Sequence, residues 1–255
     1  MKLALREAGD PKGLPVVLLH AFPMSSAMWE PQLDALKDFR VLAPDLRGFG
    51  GSPLTAPWFI EHAVDDVYDT LSSVGVEKAV LVGLSMGGYV ALRAVEKNPS
   101  RVKALVLCDT RAEADANENK IKRASAVDFV RSRGVAPYVE PFLRDALAPA
   151  TLTGKPKVVD FLKSIAIKSS PEAVMAALAA LAARGDATAS LAGIKVPTAV
   201  LVGSQDKITP LPLAETMRAR IPGAELHLIP DAGHFSNAEN PAVFNERLVS
   251  FLKRL

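Results

Sequence analysis

Val80-Leu81-Val82-Gly83-Leu84-Ser85-Met86-Gly87-Gly88 decides how the rest of this chain is read. An apolar run leads into a serine set between glycines, and Tyr89 to Lys97 continues with helical periodicity. Gly-x-Ser-x-Gly where a strand turns into a helix describes a sharp turn that leaves a serine hydroxyl exposed above a sheet. So tight a turn needs residues without bulk two before and two after the serine, and Gly83 and Gly87 are there. A serine hydroxyl is a poor nucleophile alone, so this reading requires a base, an acid to orient it, and donors for an oxyanion. A glycine-flanked serine in an ordinary strand-to-helix loop has the same spelling; the rest of the chain must decide between the two.

Outward from this turn, short apolar runs alternate with amphipathic segments, the signature of a parallel sheet covered on both faces. Val16 to His20, Val41 to Pro44, Ala79 to Gly83, Val102 to Leu107, Ala199 to Gly203 and Leu226 to Ile229 read as buried strands. Trp29 to Leu36, Ala63 to Val74, Tyr89 to Lys97, Leu213 to Ile221 and Pro241 to Leu255 read as helices. The architecture expected is a doubly wound, mostly parallel α/β sheet, with Leu3 and Leu5 suggesting an exposed antiparallel edge strand. Between Asp109 and Val196 no β run appears, and the alanine-rich stretch Pro171 to Arg184 has strong helix propensity. The expected division is a core from 1–110 and 196–255 with a helical cap from 111–195 inserted between two strands. Helices that merely extend one face of the sheet are the competing reading of that segment.

Two further residues complete a chemical set. Gly203-Ser204-Gln205-Asp206 follows one strand, so Asp206 leaves a strand carboxyl end, on the same sheet edge as Ser85. Gly233-His234-Phe235 follows the strand that ends at Ile229. His20, His62 and His227 lack such a position: His62 begins an exposed helix and His227 lies within a strand. In the order Ser, Asp, His, His234 takes the proton of Ser85 and Asp206 accepts the other imidazole N–H. Asp231, so near His234 in sequence, reads as a turn residue. The oxyanion donors expected are the backbone amides of Met86 and of Phe22, in His20-Ala21-Phe22-Pro23; Pro23 has no amide to give.

Composition narrows the rest. The chain has 255 residues, 49% hydrophobic and 23% charged, with a net charge of +2 and the two signs interleaved, which gives no reason to expect nucleic acid or an anionic membrane as partner. Cys108 is the only cysteine, so an internal disulfide is impossible; within an apolar strand it reads as a small buried hydrophobe. No metal and no cofactor is expected. The first residues lack the apolar core of a signal peptide and no apolar segment approaches a membrane span, so a cytoplasmic location is expected. Oligomeric state has no signature here.

These residues resemble the α/β-hydrolase superfamily along almost the whole chain. Leu18 to Pro23 is similar to its oxyanion loop, Pro44-Asp45-Leu46-Arg47-Gly48-Phe49-Gly50-Gly51-Ser52 to its D-x-R-G-x-G-x-S segment, and Gly83 to Gly87 to its nucleophile turn. Leu201 to Asp206 resembles its acid loop and Asp231 to Phe235 its histidine loop. Ala21 replaces a usual glycine, and Phe49 a frequent histidine. The resemblance implies a serine hydrolase acting on small carboxylic esters or lactones through an acyl-enzyme, because dehalogenases and epoxide hydrolases of this fold carry aspartate where Ser85 stands. Similar members include arylesterases, 3-oxoadipate enol-lactonases and cofactor-free haloperoxidases, so perhydrolysis by the same triad is an alternative. A ligand receptor with slow turnover on this fold is another. In that group the pocket lies between triad and cap, which makes Phe22, Trp29, Met86 and residues of the 111–195 segment pocket candidates; helix packing explains Trp29 equally well.

Overall fold

Six apolar runs become neighbouring parallel strands because each can bury both of its faces only inside a covered sheet. The computed structural model describes residues 1–255. In chain order they form β1 (Leu5–Gly9), β2 (Pro15–Leu19), α1 (Glu30–Leu33), β3 (Arg40–Pro44), α2 (Ile60–Ser73), β4 (Ala79–Leu84), α3 (Met86–Lys97) and β5 (Val102–Cys108). Five helices follow without a strand: α4 (Asn117–Arg133), α5 (Val135–Ala146), α6 (Pro149–Gly154), α7 (Pro156–Ala166) and α8 (Pro171–Ala183). Then come β6 (Thr198–Gly203), α9 (Leu211–Arg220), β7 (Glu225–Ile229), α10 (Ser236–Glu239) and α11 (Pro241–Leu252).

The sheet order is β1-β3-β2-β4-β5-β6-β7. Only β1 runs antiparallel, pairing Leu5 with Pro44 and Gly9 with Arg40 along the edge. Every residue of β4 and of β6 is buried, and both strands end at the carboxyl edge that carries the candidate chemistry. The antiparallel edge strand is the one the sequence suggests, although it starts at Leu5; Leu3 precedes it, buried, with its amide bonded to Thr70 Oγ1 at 2.9 Å.

One expected element is shorter in the structure. In place of a helix from Trp29 to Leu36 there is a 3₁₀ turn, Ser26–Trp29, capped by the Ser25 hydroxyl, and then the single turn of α1. Pro31 suits the first turn of a helix, where no partner for its missing N–H is needed.

The helices between β5 and β6 are tied together by charge. Asp115 is buried and accepts from the guanidinium groups of Arg111 and Arg123, while Arg184 Nη1 lies 2.9 Å from it. Arg184 also stacks 4.1 Å above the Tyr89 ring, joining the end of α8 to α3. Burial alone would raise the Asp115 carboxyl, but Arg123 and Arg184 outweigh it and hold the group below 3.8. No single helix is long and apolar enough to cross a membrane.

Asp115→Asn is expected to cost about 3–5 kcal/mol at neutral pH, because it leaves three guanidinium groups without their carboxylate. A folded carboxyl that titrates below its unfolded value of 3.8 gives stability that is intact above that pH and lost as pH falls through the folded pKa. Urea midpoints of wild type and variant should therefore stand apart at pH 7 and converge below about pH 4.

Candidate active site

The site is built around the turn at Ser85, whose φ of 53° and ψ of −110° lie outside the regions L residues ordinarily occupy. Surrounding backbone holds it there. The Ser85 amide donates to Cys108 O at 2.9 Å, and its carbonyl accepts from the amides of Gly88 and Tyr89 and from Thr110 Oγ1 at 2.8 Å. A Cβ on Gly83 would stand 2.3 Å from Gly87 O, and one on Gly87 would stand 2.1 Å from Leu19 O. The two glycines are thus required by contact with β2 and with each other, as the spacing in the sequence implies.

His234 and Asp206 close on this serine. His234 Nε2 lies 2.8 Å from Ser85 Oγ, and His234 Nδ1 lies 2.8 Å from Asp206 Oδ2. A carboxylate can only accept, so Nδ1 carries the ring proton and Nε2 is left to accept from the serine hydroxyl. Asp206 is itself fixed: its Oδ1 accepts from the amides of Ile208 at 2.8 Å and Thr209 at 3.0 Å, and its Oδ2 accepts from Thr209 Oγ1 at 2.6 Å. Burial would raise its pKa, but His234 and the Thr209 donors bring it below the usual carboxylate value. For His234 burial opposes the charged ring, and Asp206, with Asp109 and Glu239 behind it, reverses this and raises the imidazole above 6.5.

The two amides expected as oxyanion donors, Phe22 and Met86, follow the neighbouring strands β2 and β4. Phe22 follows β2, and its N–H donates to no group of the protein. Met86 opens α3, where the first amide has no carbonyl of its own helix to reach. The Phe22 loop is braced by His20, whose Nδ1–H donates to Ala21 O at 2.9 Å while Nε2 accepts from the Leu46 amide at 2.8 Å. The Phe49 ring meets His20 edge-on at 5.4 Å and Phe22 at 6.4 Å, so it packs against the loop that follows β2.

The segment Asp45 to Ser52 is architectural. Asp45 accepts from the amides of Ser26 at 2.7 Å and Gly51 at 2.8 Å, and Arg47 pairs with the buried Asp66. Trp29, for which pocket and helix packing were both expected, is completely buried with its ring 6.3 Å from that of Phe244 on α11. Asp231 takes a positive φ of 53° in an exposed turn and does not approach the imidazole ring, as expected of a turn former. No group of three or more His, Cys, Asp or Glu side chains is arranged to hold a metal ion.

Three buried residues escape the sequence reading. Thr209 bonds Asp206. Asp109, at φ 43°, accepts from the Gly203 amide at 2.8 Å and from Ser236 Oγ at 2.5 Å, and so links the ends of β5 and β6 to the histidine loop. Burial, and next the charge of Asp206, push its pKa well above the usual range. An acid closing an apolar strand on this edge was the available signal for Asp109. Glu239 accepts from the amides of Gly233 at 2.9 Å and Phe235 at 3.2 Å, on either side of His234, and from Ala148 at 2.8 Å. The His234 amide in turn donates to Ala146 O at 2.7 Å, so the histidine loop is clamped to the end of α5. Nothing in the sequence near Glu239 marks that link.

With this geometry in place, the relatives fall into line. Residues 15–241 match the family described as the alpha/beta hydrolase fold, and the chain belongs to that family. A thermophilic esterase from Thermogutta terrifontis, solved with malate bound, is 37% identical; the match covers 99% of this chain and 93% of that one, with a TM-score of 0.95. The enol-lactonase from Burkholderia xenovorans LB400 is 27% identical over 98% of this chain and 96% of its own, with a TM-score of 0.92. In sequence, 3-oxoadipate enol-lactonase 1 of Acinetobacter baylyi is 28% identical over 98% of this chain and 92% of its own.

Asp109→Asn is expected to cost less than about 1 kcal/mol, since Asn tolerates the positive φ and keeps an acceptor for the Gly203 amide. Asp109→Ala should cost about 3 kcal/mol, because it keeps neither property and orphans buried donors. Urea unfolding of the two variants beside wild type measures the difference.

Proposed function

We propose that this protein is a serine hydrolase that cleaves small carboxylic esters or lactones through an acyl-enzyme, with residues 111–195 forming a cap over the site. The observation that carries the reading is the unbroken chain from Ser85 Oγ through the imidazole of His234 to Asp206, with both contacts at 2.8 Å. Similarity to an esterase and to enol-lactonases supports the substrate class.

In the first half-reaction Ser85 Oγ attacks the carbonyl carbon while His234 Nε2 takes its proton. The negative charge that develops on the carbonyl oxygen is received by the amides of Phe22 and Met86; a preorganised donor of this kind is worth about 3 kcal/mol. The carbon–oxygen bond to the alcohol then breaks, and His234 returns the proton to the leaving oxygen. In a lactone the alcohol stays attached to the acyl group. In the second half-reaction water gives a proton to His234 Nε2 and attacks the acyl carbon, and Ser85 leaves reprotonated. Asp206 remains ionised throughout and stabilises the imidazolium formed in each half.

Ser85→Ala is expected to abolish turnover of short-chain p-nitrophenyl esters while leaving the circular dichroism spectrum unchanged, and steady turnover by this variant would overturn the mechanism. Asp206→Asn should lower kcat by about 10⁴, since the amide favours the wrong imidazole tautomer. The base must be neutral to act, so kcat/KM of the wild type should fall on acidification, with a midpoint above 6.5 that reports the raised pKa of His234.

A further inference from the structure

A carboxylate has room for about four donors, and the one on Asp206 is met by as many. Oδ1 accepts from the amides of Ile208 and Thr209, while Oδ2 accepts from His234 Nδ1–H at 2.8 Å and from the Thr209 hydroxyl at 2.6 Å. Thr209 is completely buried, and its Oγ1 lies 3.3 Å from His234 Nδ1. Nδ1 already holds a proton and has no lone pair to offer, so the hydroxyl proton of Thr209 goes to Oδ2. One carboxylate oxygen therefore serves the imidazole ring and one hydroxyl at once. Acyl transfer through Ser85, His234 and Asp206 gives that hydroxyl no role.

The chain places it there locally. Asp206 follows β6, and the amides two and three residues further on fold back onto Oδ1, so the side chain of Thr209 returns to the same carboxylate. Pro210 disfavours helical backbone at Thr209, and α9 starts only at Leu211, which leaves the turn intact. The amides anchor one oxygen and not the other. A carboxylate held by Oδ1 alone is able to swing Oδ2 out of line with the imidazole, and within the loop that carries Asp206 the Thr209 hydroxyl opposes this. The hydroxyl also draws on the charge that Nδ1–H meets. Its bond is the shorter of the two to Oδ2, so the imidazolium faces an oxygen that is already partly neutralised.

We propose that Thr209 is a positioning residue of the triad, whose hydroxyl holds Asp206 Oδ2 in line with His234 Nδ1–H and limits the proton affinity of the ring. The inference rests on the serine hydrolase reading and adds a fourth side chain to its hydrogen-bonded set. Loss of the hydroxyl has two consequences. Oδ2 is left to the imidazole alone, so the cationic ring is held more strongly and the neutral base is reached at higher pH. The carboxylate is also free to turn, so the ring is aimed at Ser85 for less of the time. The other titratable groups that face the ring are Asp109, at the end of β5, and Glu239 on α10, and neither is bonded to Thr209. Lys207, beside Asp206 in the chain, is exposed.

Thr209→Val removes the hydroxyl and keeps the shape, while Thr209→Ser keeps the hydroxyl. Proton NMR of the imidazole signals against pH reads the ring directly, the His234 signal being the one absent from His234→Gln. In Thr209→Val the His234 pKa is expected to rise by about half a unit or more, about a threefold gain in proton affinity. The acid limb of kcat/KM for p-nitrophenyl butyrate should move up with it, and kcat should fall about tenfold with KM little changed. Thr209→Ser should restore the titration, the acid limb and kcat. A purely structural threonine would lower the urea midpoint of Thr209→Val and leave the imidazole titration where it stands in the wild type, and that result overturns the proposal. Should the valine variant not fold, Thr209→Ala is read in its place by the same titration; failure of both to fold while Thr209→Ser folds assigns the hydroxyl to stability and overturns the proposal as well. A wild type that turns over no ester sinks the serine hydrolase reading, and the NMR titration still decides whether Thr209 governs the ring.

Discussion

The backbone of Ser85 sits where an L residue pays steric strain, and the rest of the molecule is arranged so that it cannot relax. Three strands take part. β2 presents the Leu19 carbonyl to Gly87, β4 ends at Leu84, and β5 receives the Ser85 amide through Cys108 O. Each contact is made by main chain, so none can be lost to a change of rotamer. The serine hydroxyl is consequently aimed before any ligand arrives, and the entropy of aiming it is met by folding rather than by binding. The turn also begins α3, so the geometry that presents Oγ leaves the Met86 amide unbonded beside it.

Around His234 the protein buries three carboxylates against one imidazole, a set that would be costly if each were merely placed there. Each is instead surrounded by donors. Asp206 has the Ile208 and Thr209 amides and the Thr209 hydroxyl, Asp109 has the Gly203 amide and Ser236, and Glu239 has three amides from two loops. Only Asp206 touches the ring. The other two act on the loop that carries it, through the amides and the hydroxyl that donate to them. One carboxylate thus orients the ring while the others fix its backbone, and the two tasks require different neighbours.

The sheet, its edge strand and the three triad positions were legible because each rests on a local pattern: an apolar run followed directly by a residue with chemistry. Strand carboxyl ends converge in a parallel sheet, so local reading was enough to predict a distant meeting of 85, 206 and 234. Trp29 was not legible in this way. An aromatic residue on a short amphipathic turn faces either core or pocket, and what decides it is Phe244, on the last helix. Glu239 was hidden for the same reason, since its partner Ala148 lies in the helical segment between β5 and β6. Asp109 had a local signal, an acid ending an apolar strand on the right edge, but its partners Gly203 and Ser236 lie far along the chain. The irregular start of α1 follows from Ser25 and Pro31, which set a cap and a first turn but not the number of turns that follow.

Helix α5 joins the two halves of this picture. Its Tyr138 and Phe142 rings stand over Phe22, while its last residue, Ala146, accepts the amide of His234, and Ala148 just beyond donates to Glu239. Tyr138, Phe142 and the carbonyl that holds the histidine loop therefore belong to one helix, which carries Pro141 in its interior. Packed helices shift as units rather than bending locally, because their interfaces are close-packed. A change in volume at Tyr138 or Phe142 acts on the same helix that ends in the carbonyl to which His234 is tied. Residues of α5 with no contact to Ser85 are thereby joined to it through the backbone of the histidine loop and the His234 ring.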